Sequence, residues 1–179
     1  MFSKGHASPL PYTLSKAAGV ISDAQLMSLR QFGNPLEGHP IPVLPWVDVA
    51  TGSLVQGLPI GIGIGWGEEY LDKLPYRIWV LLGDSEMAEG SVWEAFELTG
   101  NYKLESLIAI VDVNWLGQRG QTMWGWNTQA YCDCAEAFGW NVIEINGHNF
   151  TEIDEAYNQA ISDSVCLRQL LRERSKVRE

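Results

Sequence analysis

Two residues with hard oxygen donors stand thirty positions apart: Asp84, within Gly83-Asp84-Ser85, and Asn114, at the end of an apolar run. A carboxylate and an amide oxygen suit Mg²⁺ or Ca²⁺ better than a soft metal. Two side chains cannot fill an octahedron, so backbone carbonyls, water and the oxygens of a bound diphosphate would complete it. Gly83 is expected to let the chain turn tightly, and a helix that follows would aim its N-terminus at an anion. Taken singly, Asp84 reads more simply as a helix N-cap and Asn114 as a turn residue. Together, at the ends of two strands that flank one crossover, they read as a site. The histidines strengthen that reading. There are three, His6, His39 and His148, and each follows a glycine. Imidazoles on glycine-backed loops suit a cleft where backbone must come close.

These residues need a scaffold that collects them. Residues 76–82 (YRIWVLL), 107–113 (LIAIVDV) and 140–145 (WNVIEI) are apolar, β-rich runs that read as buried strands. Between and after them, residues 90–102, 128–138 and 151–161 read as helices. Val92, Ala95, Phe96 and Thr99 form a stripe on the first, and Thr151 is the expected N-cap of the last. The alternation predicts an α/β fold, a parallel sheet flanked by helices with right-handed crossovers. Ligands of such sheets lie beyond the carboxyl ends of the strands. The segments found there are Gly83-Asp84-Ser85, Asn114 and Gly147-His148. Upstream, Ser22 and Gln25 have capping-box spacing, and Leu26, Leu29 and Phe32 would share one helical face. Residues 34–46 hold Pro35, Pro40, Pro42 and Pro45 and predict an extended loop. Gly57, Gly61 and Gly65 recur every fourth residue in an apolar stretch, the pattern of a closely packed, buried helix.

Composition narrows the partners. Lys and Arg number 12 against 22 Asp and Glu, a net charge of −10, the wrong sign for a phosphate-backbone binder, so no nucleic acid is expected. No apolar run reaches the ~20 residues of a membrane span, so no membrane partner is expected either. The three cysteines, Cys132, Cys134 and Cys166, are an odd set without a recognisable signal peptide, which favours a reducing cytoplasm. Cys132-x-Cys134 is too sparse for a zinc site and reads as packing. Residues 168–179 carry a local charge of +3. Residues 1–161 therefore stand apart from 162–179, an atypical basic tail in which Leu167, Leu170 and Leu171 suggest a short amphipathic helix.

The run GDSEMAEGSVWEAFELTGNYKLESLIAIVDVN resembles the thiamine-diphosphate motif, which opens on Gly-Asp-Gly and closes on an Asn. The flanking runs SKGHASPLPY, LEGHPIPVLPWVDVATGSLVQGL and INGHN are similar to the corresponding segments of transketolases, in the same order, from about Ser3 to Ile161. The resemblance implies a thiamine-diphosphate-binding fold, with thiamine diphosphate and Mg²⁺ as cofactors. It implies transfer of a two-carbon ketol unit between sugar phosphates, as in the pentose phosphate pathway. By the same resemblance Asp84, the side chain of Asn114 and the carbonyl of Leu116 match the Mg²⁺ ligands. Gly83 and Ser85 flank Asp84 at the diphosphate, and Gly52, Ser53 and Leu54 match the loop against the aminopyrimidine ring. His6 and His148 match histidines near the diphosphate and substrate, and His39 one that binds donor-sugar hydroxyls. Glu89 and Glu94 match acidic residues buried at a dimer interface, with an exposed helical pair as the simpler alternative.

Departures from the pattern carry expectations of their own. Ser85 replaces a glycine and is strained if that position needs positive φ. Val55 stands where relatives commonly have glycine. The family also has a segment before the first loop and a second thiamine-binding domain whose glutamate starts the chemistry; no residue here matches either. The resemblance therefore implies a truncated or split-subunit form, acting as a homodimer or with a chain that carries the second domain. The alternatives are another thiamine enzyme, disfavoured by the three histidine loops, and a non-catalytic remnant.

Overall fold

The computed structural model describes residues 1–162 and 168–173. Helix α1 (Pro9–Ala17) and the short α2 (Asp23–Met27) lead through a long loop to α3 (Gly57–Trp66), which continues as a π-helical segment, Gly67–Asp72. Then follow β1 (Ile78–Gly83), α4 (Gly90–Tyr102), β2 (Leu107–Val113), a small ribbon of β3 (Leu116–Gly117) and β4 (Gly120–Gln121), α5 (Thr128–Ala137), β5 (Asn141–Ile145), α6 (Phe150–Ser162) and β6 (Arg168–Glu173). Four strands form one parallel sheet in the order β1-β2-β6-β5. The expected α/β architecture is present.

Helices cover both faces of the sheet, and this is why its strands read as continuous apolar runs rather than alternating ones. On one face Gly61 of α3 approaches β1 and β2 so closely that a Cβ there would sit 3.0 Å from Val80 and 3.1 Å from Leu107. On the other, the rings of Trp79 and Tyr157 of α6 lie 5.0 Å apart. The α4 stripe is buried as expected, and the Thr99 hydroxyl is satisfied by donating to the Ala95 carbonyl. A second, smaller core of Tyr12, Ile21, Leu36 and Leu44 anchors the proline loop. There the Ser8 hydroxyl donates to the Gly38 carbonyl at 2.7 Å and the Tyr12 hydroxyl to the Glu37 carbonyl at 3.0 Å, which fixes the stretch that carries His39.

Three expectations need correction. The Ser22/Gln25 capping box forms, but its helix ends at Met27. Arg30 turns into the left-handed region at φ 62° and its N–H bonds the Leu36 carbonyl, so Leu29 only packs against the small core and Phe32 is exposed. Thr151 lies inside α6 rather than capping it. Asn149 accepts from the Thr151 N–H, while the Glu152 carboxylate accepts from the Asn146 N–H and the Asn149 amide, which spreads the cap over three residues. Leu170 and Leu171 lie on a strand, not a helix. β6 slots between β2 and β5, with Leu170 in register with Ile110 and Ile143. An isolated short helix gains little, whereas a strand bonded on both sides satisfies backbone groups along both its edges. Leu167 and the rest of the expected tail lie outside the described residues.

The close approach of α3 to the sheet sets a test. Gly61→Leu is expected to overpack the interface and lower stability by ~1–3 kcal/mol. Gly63→Ala, in open space on the opposite side of α3, is expected to gain up to ~1 kcal/mol of helix propensity. Denaturant midpoints of the two variants against the parent check both signs.

Candidate functional site

The site begins with the first residues of the chain. Phe2 bridges Leu81 in parallel sense, and the N–H groups of Ser3 and Lys4 donate to the Leu81 carbonyl at 2.9 and 3.1 Å. The segment thus runs beside β1 and delivers Gly5-His6 to the carboxyl end of the sheet. A Cβ on Gly5 would lie 2.9 Å from the Gly52 backbone, and one on Gly52, at φ 154°, would lie 2.6 Å from the His39 ring. Two glycine loops therefore meet backbone to backbone with His39 against them. His39 packs edge-to-face on His6 with ring centroids 4.8 Å apart, and its buried Nε2 has no hydrogen-bond partner. His148 stays apart from this pair. It is exposed on the loop before α6, where its N–H donates to Asn146 Oδ1.

A cavity of about 200 Å³ opens between these loops and the end of β1. His6, Gly52, Leu54, Ser85 and Leu116, all singled out from the sequence, line it. Ser53 points to solvent beside it. Lys4 and Glu86, which sequence reasoning passed over, line it as well. Lys4 also pairs with Asp112 at 2.6 Å.

Asp84 sits just past β1 and is 2% exposed. Its Oδ2 accepts from the Trp115 N–H and the Thr122 hydroxyl, each at 2.9 Å. Its Oδ1 is buried with no partner. Burial pushes the carboxyl pKa up. The Thr122 hydroxyl, the Trp115 and Asn114 N–H groups and the Lys4 charge pull it back only in part. The N-cap reading of Asp84 fails: α4 starts at Gly90 after an intervening 3₁₀ turn, Glu86–Ala88, and its cap residue is Glu89. The turn reading of Asn114 holds for one lone pair, since its Oδ1 accepts from the Leu116 N–H at 2.9 Å. The other lone pair is available to a ligand.

Gly83 does not take up positive φ, contrary to the tight-turn expectation. Its lack of a side chain instead admits Lys4, whose Cε would meet a Cβ at 3.3 Å, and its N–H donates to Glu86. Ser85 adopts φ −67°, ψ −27°, so serine is unstrained where the motif has glycine. The strain falls on Val55 at φ 91°, where a β-branched residue costs on the order of 1–3 kcal/mol.

Glu86 is 1% exposed, and its two oxygens accept from three donors: the Ser3 hydroxyl, the Val55 N–H and the Gly83 N–H. No local pattern advertises this, because Ser3 and Val55 are 83 and 31 positions away. Glu89 and Glu94 are exposed on the surface of the chain. Burial, with Glu144, Glu136 and Asp133 nearby, pushes the Cys132 thiol up to about 11, in keeping with a packing role.

The donor set suits a hard cation. Among the described residues no cluster of three or more His, Cys, Asp or Glu side chains gathers to hold a metal. A cation here would rest on one carboxylate and neutral oxygens, with a buried carboxylate oxygen already lacking a partner.

The family model described as "Transketolase, thiamine diphosphate binding domain" matches residues 1–166. Human transketolase is 44% identical over 160 residues, which cover 89% of this chain and 26% of that protein. One subunit of the apulose-4-phosphate transketolase of Phocaeicola vulgatus is 39% identical over 153 residues, covering 86% of this chain and 54% of that protein. Among solved structures, the transketolase of Leishmania mexicana superposes with a TM-score of 0.87 at 29% identity, over 96% of this chain and 27% of that one. The transketolase of Campylobacter jejuni gives 0.84 at 31% identity, over 96% and 28%. The chain thus spans about a quarter of the length of the human, Leishmania mexicana and Campylobacter jejuni transketolases and about half that of the Phocaeicola vulgatus subunit. On sequence and architecture alike, it belongs to the transketolase family, as that family's thiamine-diphosphate-binding domain.

Proposed function

We propose that the cavity beside Asp84 holds thiamine diphosphate with Mg²⁺. In this reading the chain serves ketol transfer between sugar phosphates, together with a polypeptide that carries the second thiamine-binding domain. One observation carries the cation: a carboxylate oxygen of Asp84 is buried with no partner beside neutral oxygen donors. When bound, thiamine diphosphate supplies the nucleophilic carbon and the electron sink for breaking and forming the ketol bond. The protein's work is to bind, orient and exclude water. Asp84, Asn114 and the Leu116 carbonyl would hold the cation, while the backbone at Gly83 and Ser85 faces the diphosphate. Gly52 and Leu54, on the cavity wall, and Ser53, exposed beside it, would form the loop toward the ring end. His6, on the cavity wall, and His148, on the exposed loop after β5, would lie near the diphosphate and substrate, and His39, packed on His6, would bind donor-sugar hydroxyls. Glu89 and Glu94, exposed on this chain, would be covered in a homodimer or heteromer. The Phocaeicola vulgatus relative is by its name one subunit of a transketolase, which supports a partnered chain. A reducing, cytoplasmic setting fits the same reading. Among the described residues no helix is long and apolar enough to cross a membrane.

Titration calorimetry with thiamine diphosphate and Mg²⁺ tests the site. Asp84→Ala is expected to abolish Mg²⁺-dependent binding and Asn114→Ala to weaken it strongly. Binding by both variants at the parent's affinity would remove the assignment.

A second expectation concerns pH. The folded chain raises the Asp84 pKa above its ordinary 3.8, so folding favours the protonated form. The stability this contributes is fully present below the unfolded value and is lost as pH rises through the raised folded value. Asp84→Asn, which cannot ionise, should therefore match the metal-free parent near about pH 4 and exceed it at about pH 7. Denaturation without metal at the two pH values decides, and a parent more stable than the variant at neutral pH would contradict it.

For activity, the assay is ketol transfer from xylulose 5-phosphate to ribose 5-phosphate. The purified chain alone is expected to show no turnover, because a general acid–base contribution of ~10²–10⁴-fold is assigned to the other domain. Adding a polypeptide that supplies that domain should restore transfer. Robust turnover by this chain alone would overturn the division of labour.

A further inference from the structure

We propose that Glu86 is a positioning residue for thiamine diphosphate: its carboxylate clamps the strained loop at Val55 to the end of β1 and shapes the cavity before any ligand arrives. The inference rests on the reading of that cavity given above.

Glu86 Oε1 accepts from the Ser3 hydroxyl at 2.5 Å and the Val55 N–H at 3.2 Å, and Oε2 accepts from the Gly83 N–H at 2.8 Å. The Ser3 oxygen in turn accepts from the N–H of Gly57, the first residue of α3, at 3.2 Å. One carboxylate therefore joins the N-terminal segment, the loop before α3, the start of α3 and the end of β1. Ser3 and Glu86 of the clamp line the cavity themselves, and Leu54, which also lines it, is the neighbour of Val55. Gly57 could not carry a side chain here, because a Cβ would lie 2.3 Å from the Ser3 Cβ.

The strain at Val55 gives the clamp something to oppose. Its φ of 91° is unfavourable for a β-branched residue, and relaxing it would swing Leu54 on one side relative to Gly57 on the other. An ionised carboxylate is acceptor-only, which matches three converging donors, and such charge-assisted bonds are the strong ones. Glutamine would turn an N–H₂ group toward N–H donors and leave part of the set unmatched.

The test uses Glu86→Gln, Val55→Gly and the double variant. In the ligand-free chain, Glu86→Gln should speed amide exchange at residues 52–57 about tenfold while β2 amides keep their protection. With Mg²⁺ present, it should weaken thiamine diphosphate binding by about tenfold. In the Val55→Gly background, where positive φ costs nothing, the same change should cost distinctly less affinity. Equal losses in both backgrounds, unchanged affinity, or exchange that quickens evenly across β1 and β2 would each overturn the proposal. If Glu86→Gln does not fold, Ser3→Ala removes one of the three donors to Glu86, and with it the acceptor of the Gly57 N–H, and should show the same local pattern in weaker form; its absence counts equally against the clamp. A parent chain that binds no thiamine diphosphate defeats the cavity reading, while the exchange arm still decides whether Glu86 holds the loop.

Discussion

Two carboxylates buried two residues apart govern the shape of this site. Asp84 is 2% exposed and Glu86 1%. An ionised carboxylate withdrawn from water is costly unless donors surround it. The donors come mostly from backbone N–H groups, and backbone can supply them only by bending. The chain accordingly enters the left-handed region at Val55 and at Trp115, each of which turns an N–H toward one of these carboxylates. The N-terminal segment is drawn in beside β1 to bring the Ser3 hydroxyl to Glu86. The loop conformations are thus consequences of the two buried charges.

The electrostatic balance that results is incomplete. Lys4 faces the cavity, but its ammonium group is already engaged by Asp112. A diphosphate placed here would add negative charge beside Asp84 and Glu86 with little positive charge left to meet it. On the proposed reading, a divalent cation held by Asp84 would offset that charge.

What could be read from the sequence is what local pattern encodes. The apolar runs of β1 and β2, the Val92-to-Thr99 stripe of α4 and the glycine spacing of α3 each depend on burial of one contiguous segment, and all three stand in the structure. The places of Asp84 and Asn114 just past β1 and β2 were visible because each follows a contiguous apolar run. Glu86 was not, because two of its three partners, Ser3 and Val55, are distant in sequence. β6 misled for a related reason. Arginines among leucines look amphipathic at helical spacing, and only the place between β2 and β5 turns the segment into a strand. The helix before the proline loop ended early because Arg30 took up a left-handed turn that no residue-type preference announces.

Residues 1–6 have a bearing on how the molecule assembles. Ser3 reaches across 83 positions to Glu86, and Lys4 across 108 to Asp112. Pairings of such long sequence separation carry a large loop-closure cost and form slowly compared with local ones. β1 and β2 and the crossover between them must be in place before the N-terminal segment has anything to lie against. His6 and the glycine contact beneath it therefore depend on the sheet, and the wall of the cavity closes only on a sheet that is already built. Competence to hold a ligand is in this sense a report on the completion of folding.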